Sequence, residues 1–468
     1  MVPRFAKIIG MEAHIWRRRN VQPDAIFSEV AGSTGSGYRL AVMRILVLAG
    51  VFPPRGGPGA IRYAHLCHHW ARAGHEVDVV SGAAGWHRDE RLLHLLDEPL
   101  IRVHRTERSG AAQLVWGGMR ARLKDATQEV SSLPAWARMA RFARDRFAVP
   151  DVEIASLPRW TSRILQLMEM HRFDALLTTS YPYSSHLAGR FVRMRTAVPW
   201  FMELRDPWAG HVFRGRARGV SRWIDLRLER WCIEASSGVS VIAPRMADDL
   251  RARYPGRADS IVVIPNGFEP VDDPGSPEAG PRWRLSYTGT FDTYWEPVGP
   301  LCALFDLLFA RAPHLRSKIH IDWAGSADVD SAAELRAFMH RHPGVWNARG
   351  QIPFSEVASV RARSHALLLT LAPGAPVFTT KLLEYLDSER PIIAIVGPGD
   401  CRDLLERAGN ALCVDPQNLE VALPKLASAL EKRAIDFGRR DRSTFDPFRY
   451  AAIAERFTQY LNPGVHSS

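Results

Sequence analysis

Residues 43–60 read MRILVLAGVFPPRGGPGA, and the architecture of the chain can be inferred outward from them. The uninterrupted apolar run of residues 43–50 predicts a strand that is covered on both faces. A loop rich in glycine and proline follows, and the apolar side chains of residues 61–73 then recur on one helical face. Residues 75–82, HEVDVVSG, predict a second strand after Gly74. A strand, a helix and a strand in this order indicate a βαβ unit and therefore a parallel sheet.

Further along the chain, the alternation of strands and helices continues in two halves. In the first half, the sequence predicts a helix at about 221–236 and apolar strands at 173–180, 198–208, 238–243 and 260–268. Residues 269–282, EPVDDPGSPEAGPR, lack periodicity and are rich in proline, glycine and aspartate, so they predict an interdomain linker. In the second half, five buried strands are predicted at 285–291, 318–325, 345–352, 366–371 and 391–396. Helical segments are predicted near 297–311, 330–341, 354–363, 378–388 and 401–409, and a last helix at 446–461.

The sequence therefore predicts an α/β protein with two doubly wound, Rossmann-like domains, at residues 43–268 and 283–445. Residues 446–468 would form the last helix and a tail. In sheets of this kind, ligands bind outside the carboxyl ends of the strands. We therefore expect the functional site in a cleft between the two domains.

Two segments fall outside this alternation. Residues 1–42 lack periodicity and end in AGSTGSG, so we interpret them as a flexible extension ahead of a natural start at Met43. Residues 105–160 are predicted to be a basic helical insert, with breaks at Pro134, Pro150 and Pro158. Their interleaved tryptophan and phenylalanine side chains fit either a solvated helical face or contact with a membrane surface.

The composition limits the partners and the compartment. The 468 residues include 61 lysines and arginines against 50 aspartates and glutamates, and this net charge of +11 favours acidic partners such as nucleotides, nucleic acid or anionic lipid. No DNA- or RNA-binding motif is present, so nucleic acid is not expected as a partner. The five cysteines lack a CxxC pair, which argues against a disulfide framework or a structural zinc site and favours a reducing compartment. No stretch approaches the roughly 18 apolar residues of a membrane-spanning helix, so none is expected.

Three segments carry candidate chemistry, and the first is the loop that contains Gly56, Gly57 and Gly59. Its backbone and the helix N-terminus that follows could bind an anion or a sugar phosphate. The spacing matches neither GxGxxG nor a P-loop, so an ordinary glycine-proline turn is the alternative.

The second segment is MELRDPWAG, residues 202–210, at the end of an apolar strand. Glu203, Arg205, Asp206 and Trp208 would lie at the carboxyl end of that strand, where ligands bind in parallel sheets. The alternative is structural, because an aspartate before a proline often only forms a turn.

The third segment is PGAPVFTTKLLEYLDSERPIIAIV, residues 373–396. Residues 376–380 predict a turn that opens a helix, whose first N–H groups could receive a diphosphate. Lys381 lies in the first turn, where a cation opposes the helix dipole, and a bound diphosphate would supply a reason for it. Glu384 lies on the same helical face and could accept hydrogen bonds from ribose hydroxyls. A surface Lys–Glu pair is the structural alternative.

Two other patterns are interpreted as structural. His65 and His69 share a helix face, but flanking arginines and the lack of a neighbouring carboxylate argue against a metal site. Asp328 and Asp330 form a DxD pattern, yet they precede a predicted helix, where an acidic N-cap is expected.

Four segments, taken in order, resemble the family-4 glycosyltransferases of the GT-B fold. They are MRILVLAGVFPPRGGPGA with AGHEVDVVSG after it, PWFMELRDPWAG, VSVIAPRMADDL with IVVIPNGFEP, and YTGTF with TKLLEYLDSERPIIAIV. The resemblance covers about residues 43–461, and it implies sugar transfer from a nucleoside diphosphate sugar to an acceptor with retention at the anomeric carbon. The C-terminal half would bind the nucleotide and the N-terminal half most of the acceptor. The last helix would cross back onto the N-terminal domain.

The resemblance also assigns roles to single positions. Glu384 matches the glutamate that binds the donor ribose. Gly289 begins the loop of the second half that corresponds to the N-terminal glycine loop. The backbone groups that face the donor phosphates are matched by Gly56, Gly57, Phe378, Thr379 and Thr380.

The chain departs from the family at three places. Pro376 stands where the family often carries a first glutamate, and residues 292–296 contain no basic pair after the YTGTF strand. Neutralisation of the diphosphate is therefore assigned to Lys381. Arg205 and Asp206 stand where many members carry a histidine. The catalytic candidates are thus Lys381, Arg205 and Asp206, with Asp206 orienting the sugar or the acceptor.

The resemblance implies a glycosyltransferase of cell-envelope, exopolysaccharide or glycoconjugate biosynthesis. We expect no cofactor or metal to be required beside the nucleoside diphosphate sugar donor, and an acceptor that is a sugar, a lipid-linked molecule or a small molecule. The protein would be cytoplasmic and would contact the inner face of the membrane through residues 105–160. The alternatives are a GT-B nucleotide-sugar epimerase and a non-catalytic partner that binds a nucleotide sugar.

Overall fold

Two parallel β-sheets form the framework of the protein. The computed structural model describes residues 41–82, 90–107, 149–209, 220–270, 275–372, 379–432 and 435–462. We call the part built on the first sheet the N-terminal lobe and the part built on the second sheet the C-terminal lobe.

The sheet of the N-terminal lobe has seven strands: β1 (Arg44–Ala49), β2 (Glu76–Gly82), β3 (Ile101–Thr106), β4 (Ala175–Thr179), β5 (Trp200–Leu204), β6 (Gly238–Val241) and β7 (Ile261–Val263). Their order is β3-β2-β1-β4-β5-β6-β7, and every neighbouring pair is parallel. The order reverses between β1 and β4, so the connections after these strands lead to opposite faces and leave a crevice at the carboxyl edge.

The sheet of the C-terminal lobe has six strands: β8 (Trp283–Thr288), β9 (Ile319–Ala324), β10 (Trp346–Gly350), β11 (Ala366–Thr370), β12 (Ile392–Ile395) and β13 (Ala411–Val414). Their order is β10-β9-β8-β11-β12-β13, again with parallel pairs throughout. The reversal lies between β8 and β11, so this lobe repeats the doubly wound arrangement of the other.

Helices cover the sheets. In chain order, those of the described residues are α1 (Pro58–Arg72), α2 (Leu157–Met170), α3 (Ser184–Arg193), α4 (Val220–Ala235), α5 (Pro244–Arg253), α6 (Gly299–Arg311), α7 (Val329–Arg341), α8 (Phe354–Ala362), α9 (Thr380–Asp387), α10 (Asp400–Ala408), α11 (Leu423–Glu431) and α12 (Tyr450–Leu461). Because these layers exclude water from both faces, the central strands β4, β5, β11 and β12 are buried along their whole length. None of the described helices combines the length and the apolar character needed to cross a bilayer.

The last helix, α12, returns to the N-terminal lobe. Its apolar residues share one core with β1 and α1, and the indole N–H of Trp70 donates to the carbonyl of Ala454 at 3.0 Å. The backbone of Phe268 exchanges hydrogen bonds with Phe448 and Tyr450, which fixes the chain where it leaves this lobe for the other and where it comes back. The predicted fold class, two Rossmann-like domains with a returning C-terminal helix, is therefore confirmed.

The structure corrects the element predictions in several places. The second half has six strands rather than five, because β13 was not predicted, and β3, α3 and α11 were also missed. Pro158 does not break a helix: it lies in the first turn of α2, where its missing N–H costs no hydrogen bond. The segment predicted as a strand over 198–208 is extended only over β5, and the residues after Leu204 form a loop.

The interpretation of Asp328 as a helix cap is confirmed, and two further predictions fall on residues that are not described. Asp328 caps α7 as expected, and its side chain accepts a hydrogen bond from the backbone N–H of Ser331 at 2.8 Å. Two predictions lie outside the described residues: nearly all of the flexible extension at 1–42 and most of the basic insert at 105–160. Of that insert, residues 105–106 belong to β3 and residues 157–160 to α2.

The return of α12 gives a test of the fold. Phe457 is fully buried, its ring lies 5.9 Å from the indole of Trp70, and the guanidinium of Arg62 lies over it at 5.5 Å. Phe457→Ala removes this ring, and we expect a loss of about 3–5 kcal/mol in the free energy of unfolding. The measurement is the urea midpoint. The control is Val421→Ala, because Val421 is 74% exposed and should change the free energy by less than about 0.5 kcal/mol. Equal midpoints for the two variants would contradict the packing described for α12.

Candidate active site

The glycine loop of the N-terminal lobe lies at the sheet reversal, between the end of β1 and the start of α1. Gly57 is the residue before α1 and has φ = 121°, a backbone conformation that residues other than glycine rarely adopt. A Cβ atom on Gly59 would lie 2.5 Å from Nη2 of Arg205, so the arginine side chain needs the bare backbone there. The structure thus brings the glycine loop and Arg205 together.

Arg205 is held in this position by the neighbouring strand end. Its backbone N–H donates to Oγ of Ser180 at 3.2 Å, and its Nε donates to the carbonyl oxygen of Ser180. Asp206, the other candidate on this loop, follows directly and is half-buried. Both residues therefore stand at the carboxyl edge of the N-terminal sheet, beside the N-terminus of α1.

A buried ion pair lies beneath this edge. Nη2 of Arg62 lies 2.8 Å from Oε1 of Glu203, and both side chains are shielded from solvent. Tyr63 and Thr179 donate their hydroxyl groups to Oε2 of Glu203 at 2.6 and 2.7 Å. Burial alone would raise the pKa of Glu203, but Arg62, Arg205 and these hydroxyl groups outweigh it and hold the pKa below its usual value.

The same arginine also fixes the start of the crossover to the other lobe. Arg62 donates to the carbonyl oxygen of Pro265 at 2.6 Å and to that of Ile264 at 3.0 Å. Helix α1, β5 and the chain that leaves β7 are thus joined by one side chain.

In the C-terminal lobe, Gly289 follows β8 at the corresponding sheet reversal. Its φ is 137°, and its N–H donates to the carbonyl of Ala324 at 2.9 Å. A Cβ atom at this position would lie 2.4 Å from Nζ of Lys381. Glycine is therefore required both by the backbone conformation and by the approach of the lysine.

Lys381, in the first turn of α9, lies against Gly289. Its Nζ donates to the hydroxyl oxygen of Tyr287 at 2.6 Å and to the carboxylate of Glu296. It also lies 4.1 Å from the centroid of the Tyr287 ring, which adds a cation–π contact. Burial lowers the pKa of Lys381, and Glu296 opposes that shift without cancelling it. The lysine was predicted to face a diphosphate, and in this structure a carboxylate holds it.

The remaining candidates of this lobe lie on or just before α9. Thr379 caps the helix, with its hydroxyl oxygen accepting from the N–H of Leu382 at 3.2 Å, and Thr380 is the first helical residue. Phe378 lies outside the described residues. Oε2 of Glu384 accepts from Nη1 of Arg361 at 2.8 Å. The structural alternative of a Lys381–Glu384 pair is therefore not what forms: each residue pairs with a different element.

Tyr450, the first residue of α12, is affected by charged side chains of both lobes. Burial raises the pKa of Tyr450, and the charges of Arg62, Glu384, Glu269 and Arg205 all act on it. Candidates from both lobes therefore lie close to the same aromatic residue.

A second contact joins the first turn of α5 to the start of α10. Nε of Arg245 lies 3.6 Å from Oδ1 of Asp400, and Oδ2 of Asp400 is buried with no hydrogen-bond partner among the described residues. Burial raises the pKa of Asp400 against the effect of Arg245. Because both helices start after strand ends, the carboxyl edges of the two sheets face each other across the cleft.

The histidine cluster of α1 differs from the sequence-based description. A carboxylate does lie beside it: Oε1 of Glu269 is 2.7 Å from Nε2 of His69 and 3.4 Å from Nδ1 of His65. Tertiary folding brings Glu269 there from 200 positions along the chain. Among the described residues, no group of three or more histidine, cysteine, aspartate or glutamate side chains is arranged to hold a metal ion.

Sequence reasoning missed three residues of the site. Two features of the sequence could have indicated Glu296. It is an acid at a place where the family has basic residues, and Lys381, in a first helical turn, had no partner assigned to it. Arg361 and Arg245 carried no such signal, since nothing in their local sequence indicates Glu384 or Asp400 as a neighbour. A groove of about 540 Å³ lies elsewhere, between α2 and α3, and contains none of the predicted site residues.

The buried pair beneath the glycine loop gives a test. Glu203→Gln keeps the shape but leaves Arg62 without its counter-ion, and we expect a loss of about 3–5 kcal/mol in stability. The lowered pKa fixes the sign of the pH effect: the contribution of Glu203 is complete above its unfolded pKa and declines as pH falls through its folded pKa. The difference in urea midpoint between wild type and variant should thus be large at pH 7 and shrink in acid. A difference that stays the same at all pH values would contradict the ion pair.

The comparisons with known proteins agree with this geometry. Residues 56–267 match the family model of the glycosyl transferase 4-like domain. No curated protein matches the chain significantly.

Solved structures resemble the whole fold. HepE of Anabaena, solved with UDP and glucose, has a TM-score of 0.57 at 15% identity over 90% of this chain and 100% of its own. Sucrose-phosphate synthase of Thermosynechococcus elongatus has a TM-score of 0.60 at 16% identity, over 91% of this chain and 100% of its own. The apo form of the lipopolysaccharide outer core galactosyltransferase WaaB has a TM-score of 0.55 at 13% identity, over 90% and 99%.

At these identities the structural likeness establishes the fold, while the family model covers the N-terminal lobe, including the glycine loop and the loop of Arg205. The resemblance predicted from the sequence is confirmed by both. The chain accordingly has the GT-B fold, and its residues 56–267 match the glycosyl transferase 4-like domain.

Proposed function

We propose that the protein transfers a glycosyl group from a nucleoside diphosphate sugar to an acceptor, with retention at the anomeric carbon. The observation that carries the proposal is the position of Lys381: its ammonium lies under Gly289 at the sheet reversal of the C-terminal lobe. A pyrophosphoryl group at this point would meet a buried cation and the positive end of the dipole of α9.

The nucleoside would bind along α9. Glu384 lies one turn beyond Lys381 and carries a carboxylate that Arg361 already orients at 2.8 Å. A carboxylate held in this way can accept hydrogen bonds from the two ribose hydroxyls. The UDP complex of HepE is a nucleotide complex of a protein with the same fold, which supports a nucleotide site in this cleft.

The chemistry follows from the leaving group. Departure of a nucleoside diphosphate requires stabilisation of the negative charge that develops on its terminal phosphate oxygen. Lys381 and the N–H groups of α9 would provide this stabilisation. As the glycosidic bond breaks, the anomeric carbon gains positive charge, and the departing oxygen can accept the proton of the attacking hydroxyl group on the same face. Attack on that face retains the configuration.

The N-terminal lobe would place the acceptor. Arg205 is fixed by Ser180 and lies against Gly59, so its guanidinium faces the N-terminus of α1. Asp206 follows it at the cleft and would orient a hydroxyl group of the donor sugar or of the acceptor. Lipopolysaccharide is the substrate named for WaaB, and we propose an envelope or exocellular carbohydrate as the acceptor here.

The first experiment identifies the donor. Thermal shifts are measured with a panel of nucleoside diphosphate sugars, because a true donor stabilises the native state by mass action. A ligand present at about 100 times its Kd contributes about 2.7 kcal/mol. Release of the nucleoside diphosphate, with and without candidate acceptors, then separates transfer from an epimerase that needs the donor alone. A panel without any stabilising ligand would contradict the proposal.

Glu384→Ala should weaken donor binding by about 10- to 100-fold, since it removes hydrogen bonds to a charged group. The measurement is the Kd of the donor by calorimetry. The control is Glu406→Ala, because Glu406 pairs with Arg402 on α10 and is half-exposed. Equal affinity of both variants for the donor would remove Glu384 from the site.

Lys381→Ala should lower turnover by about 100-fold, because the cation stabilises charge that develops only in the transition state. The donor KM should rise by a smaller factor. Lys425→Ala, on α11, is the control. A variant with an increased KM and unchanged kcat would assign Lys381 to ground-state binding instead.

Asp206→Asn should reduce kcat by about tenfold or more, because the amide has no charge and only one acceptor oxygen for sugar hydroxyls, whereas the carboxylate has two. The thermal midpoint should stay within the range of a surface substitution. Normal activity of this variant would show that Asp206 has no role in the reaction.

A further inference from the structure

Lys381 has an anionic partner within the protein itself. Its Nζ donates to Oε2 of Glu296 and to the hydroxyl of Tyr287, and the Lys381 and Glu296 side chains are each only 12% exposed. A lysine in the first turn of a helix lies in the unfavourable part of the helix dipole, and burial adds to that cost. Glu296 therefore supplies the negative charge that the buried ammonium needs.

The carboxylate is carried by a loop that spans the sheet reversal. The N–H of Ala372, after β11, donates to the carbonyl of Trp295 at 2.8 Å, and Oγ1 of Thr370 donates to that of Pro297 at 2.8 Å. Glu296 also forms an isolated backbone bridge with Asp292. The loop thus links β8 to the end of β11, at the place where the donor phosphates would lie.

A diphosphate and a carboxylate compete for the same kind of partner. Both present anionic oxygens that accept a charge-assisted hydrogen bond from an ammonium group. We propose that Glu296 is an internal counter-ion that occupies Lys381 in the donor-free protein and yields it to the diphosphate of the donor. This inference rests on the proposed function. It adds Glu296 to the site as a residue that regulates the affinity for the donor.

Exchange of partners has a consequence for the loop. When the diphosphate takes over Lys381, the carboxylate of Glu296 loses the contact that holds it inside. Donor binding is thereby coupled to the position of residues 292–297. The protein binds the donor more weakly than it would if Lys381 had no internal partner, because the pair with Glu296 must be broken first.

The charges around Lys381 determine how removal of Glu296 would act. Glu296 and Tyr287 contact the ammonium directly, and Asp292 and Glu384 act on it at longer range. Tyr385 lies behind Tyr287 and bonds to Thr288 at 2.9 Å. In Glu296→Gln the neutral amide leaves the buried ammonium with only the two distant carboxylates, so the pKa of Lys381 should fall further below its usual value.

The test measures the affinity for UDP and for inorganic pyrophosphate by calorimetry between pH 6 and pH 9. Glu296→Gln should bind both ligands about tenfold more tightly than wild type at pH 6, because no internal carboxylate competes. This gain should decline as the pH rises through the lowered pKa of the lysine, because the neutral amine pairs less strongly with a phosphate. In a Lys381→Met background, Glu296→Gln should change the affinity by less than twofold. Asp306→Asn breaks an ion pair with Arg341 elsewhere in the lobe and serves as the control.

A second readout needs no ligand. The lysine of the variant would have a folded pKa below its unfolded pKa, so the unfolded state binds more protons between these values and stability rises with pH. The thermal midpoint of Glu296→Gln should therefore rise with pH relative to that of wild type between the folded and the unfolded pKa of Lys381. Glu296→Asp keeps the charge with a shorter reach and should give an affinity between the other two proteins.

The outcomes separate the two proposals. If wild type binds neither ligand nor any other nucleoside diphosphate, the proposed function falls and the counter-ion role falls with it. If wild type binds but Glu296→Gln binds equally or more weakly at every pH, only the counter-ion role is overturned. The same holds if the gain persists in the Lys381→Met background.

Discussion

Parallel strands place all their carboxyl ends at one edge of a sheet, and this constraint locates every described candidate residue of the protein. Gly57 follows β1, Arg205 follows β5, Gly289 follows β8, and Lys381 begins the helix after β11. Two sheets with the same strand order carry two such edges, and the ion pair of Arg245 with Asp400 joins them. A cleft bounded by helix N-termini on both sides results, and such a cleft favours anions.

Buried charge is the second theme of the site, and the two lobes treat it differently. Arg62 and Glu203 are closed off from solvent and bonded on every side, so that pair holds α1, β5 and the crossover in one arrangement. Lys381 and Glu296 remain slightly exposed and lie at the opening of a helix. The first pair has a purely structural role, whereas the second can exchange partners with a ligand from the cleft.

Much of the fold could be predicted because buried strands and amphipathic helices leave periodic patterns. The prediction failed where the pattern was weak. Strand β3 lies at a sheet edge with several exposed side chains, so its sequence IRVHRT does not read as a buried run. Strand β13 is also an edge strand of four residues, and α3 contains two serines and a glycine that are poor helix formers. In each case tertiary packing stabilised an element that local propensity left undecided.

The sequence by itself determined the alternation of strands and helices, the glycine loop and the placing of Lys381 in a first helical turn, because each depends on neighbours within a few residues. Only the tertiary structure decided the partners. Lys381 and Glu296 are 85 positions apart, and Arg62 and Glu203 are 141 apart. Such pairs are set by strand order and by the burial that forces each charge to find an opposite one, and no local spacing encodes them.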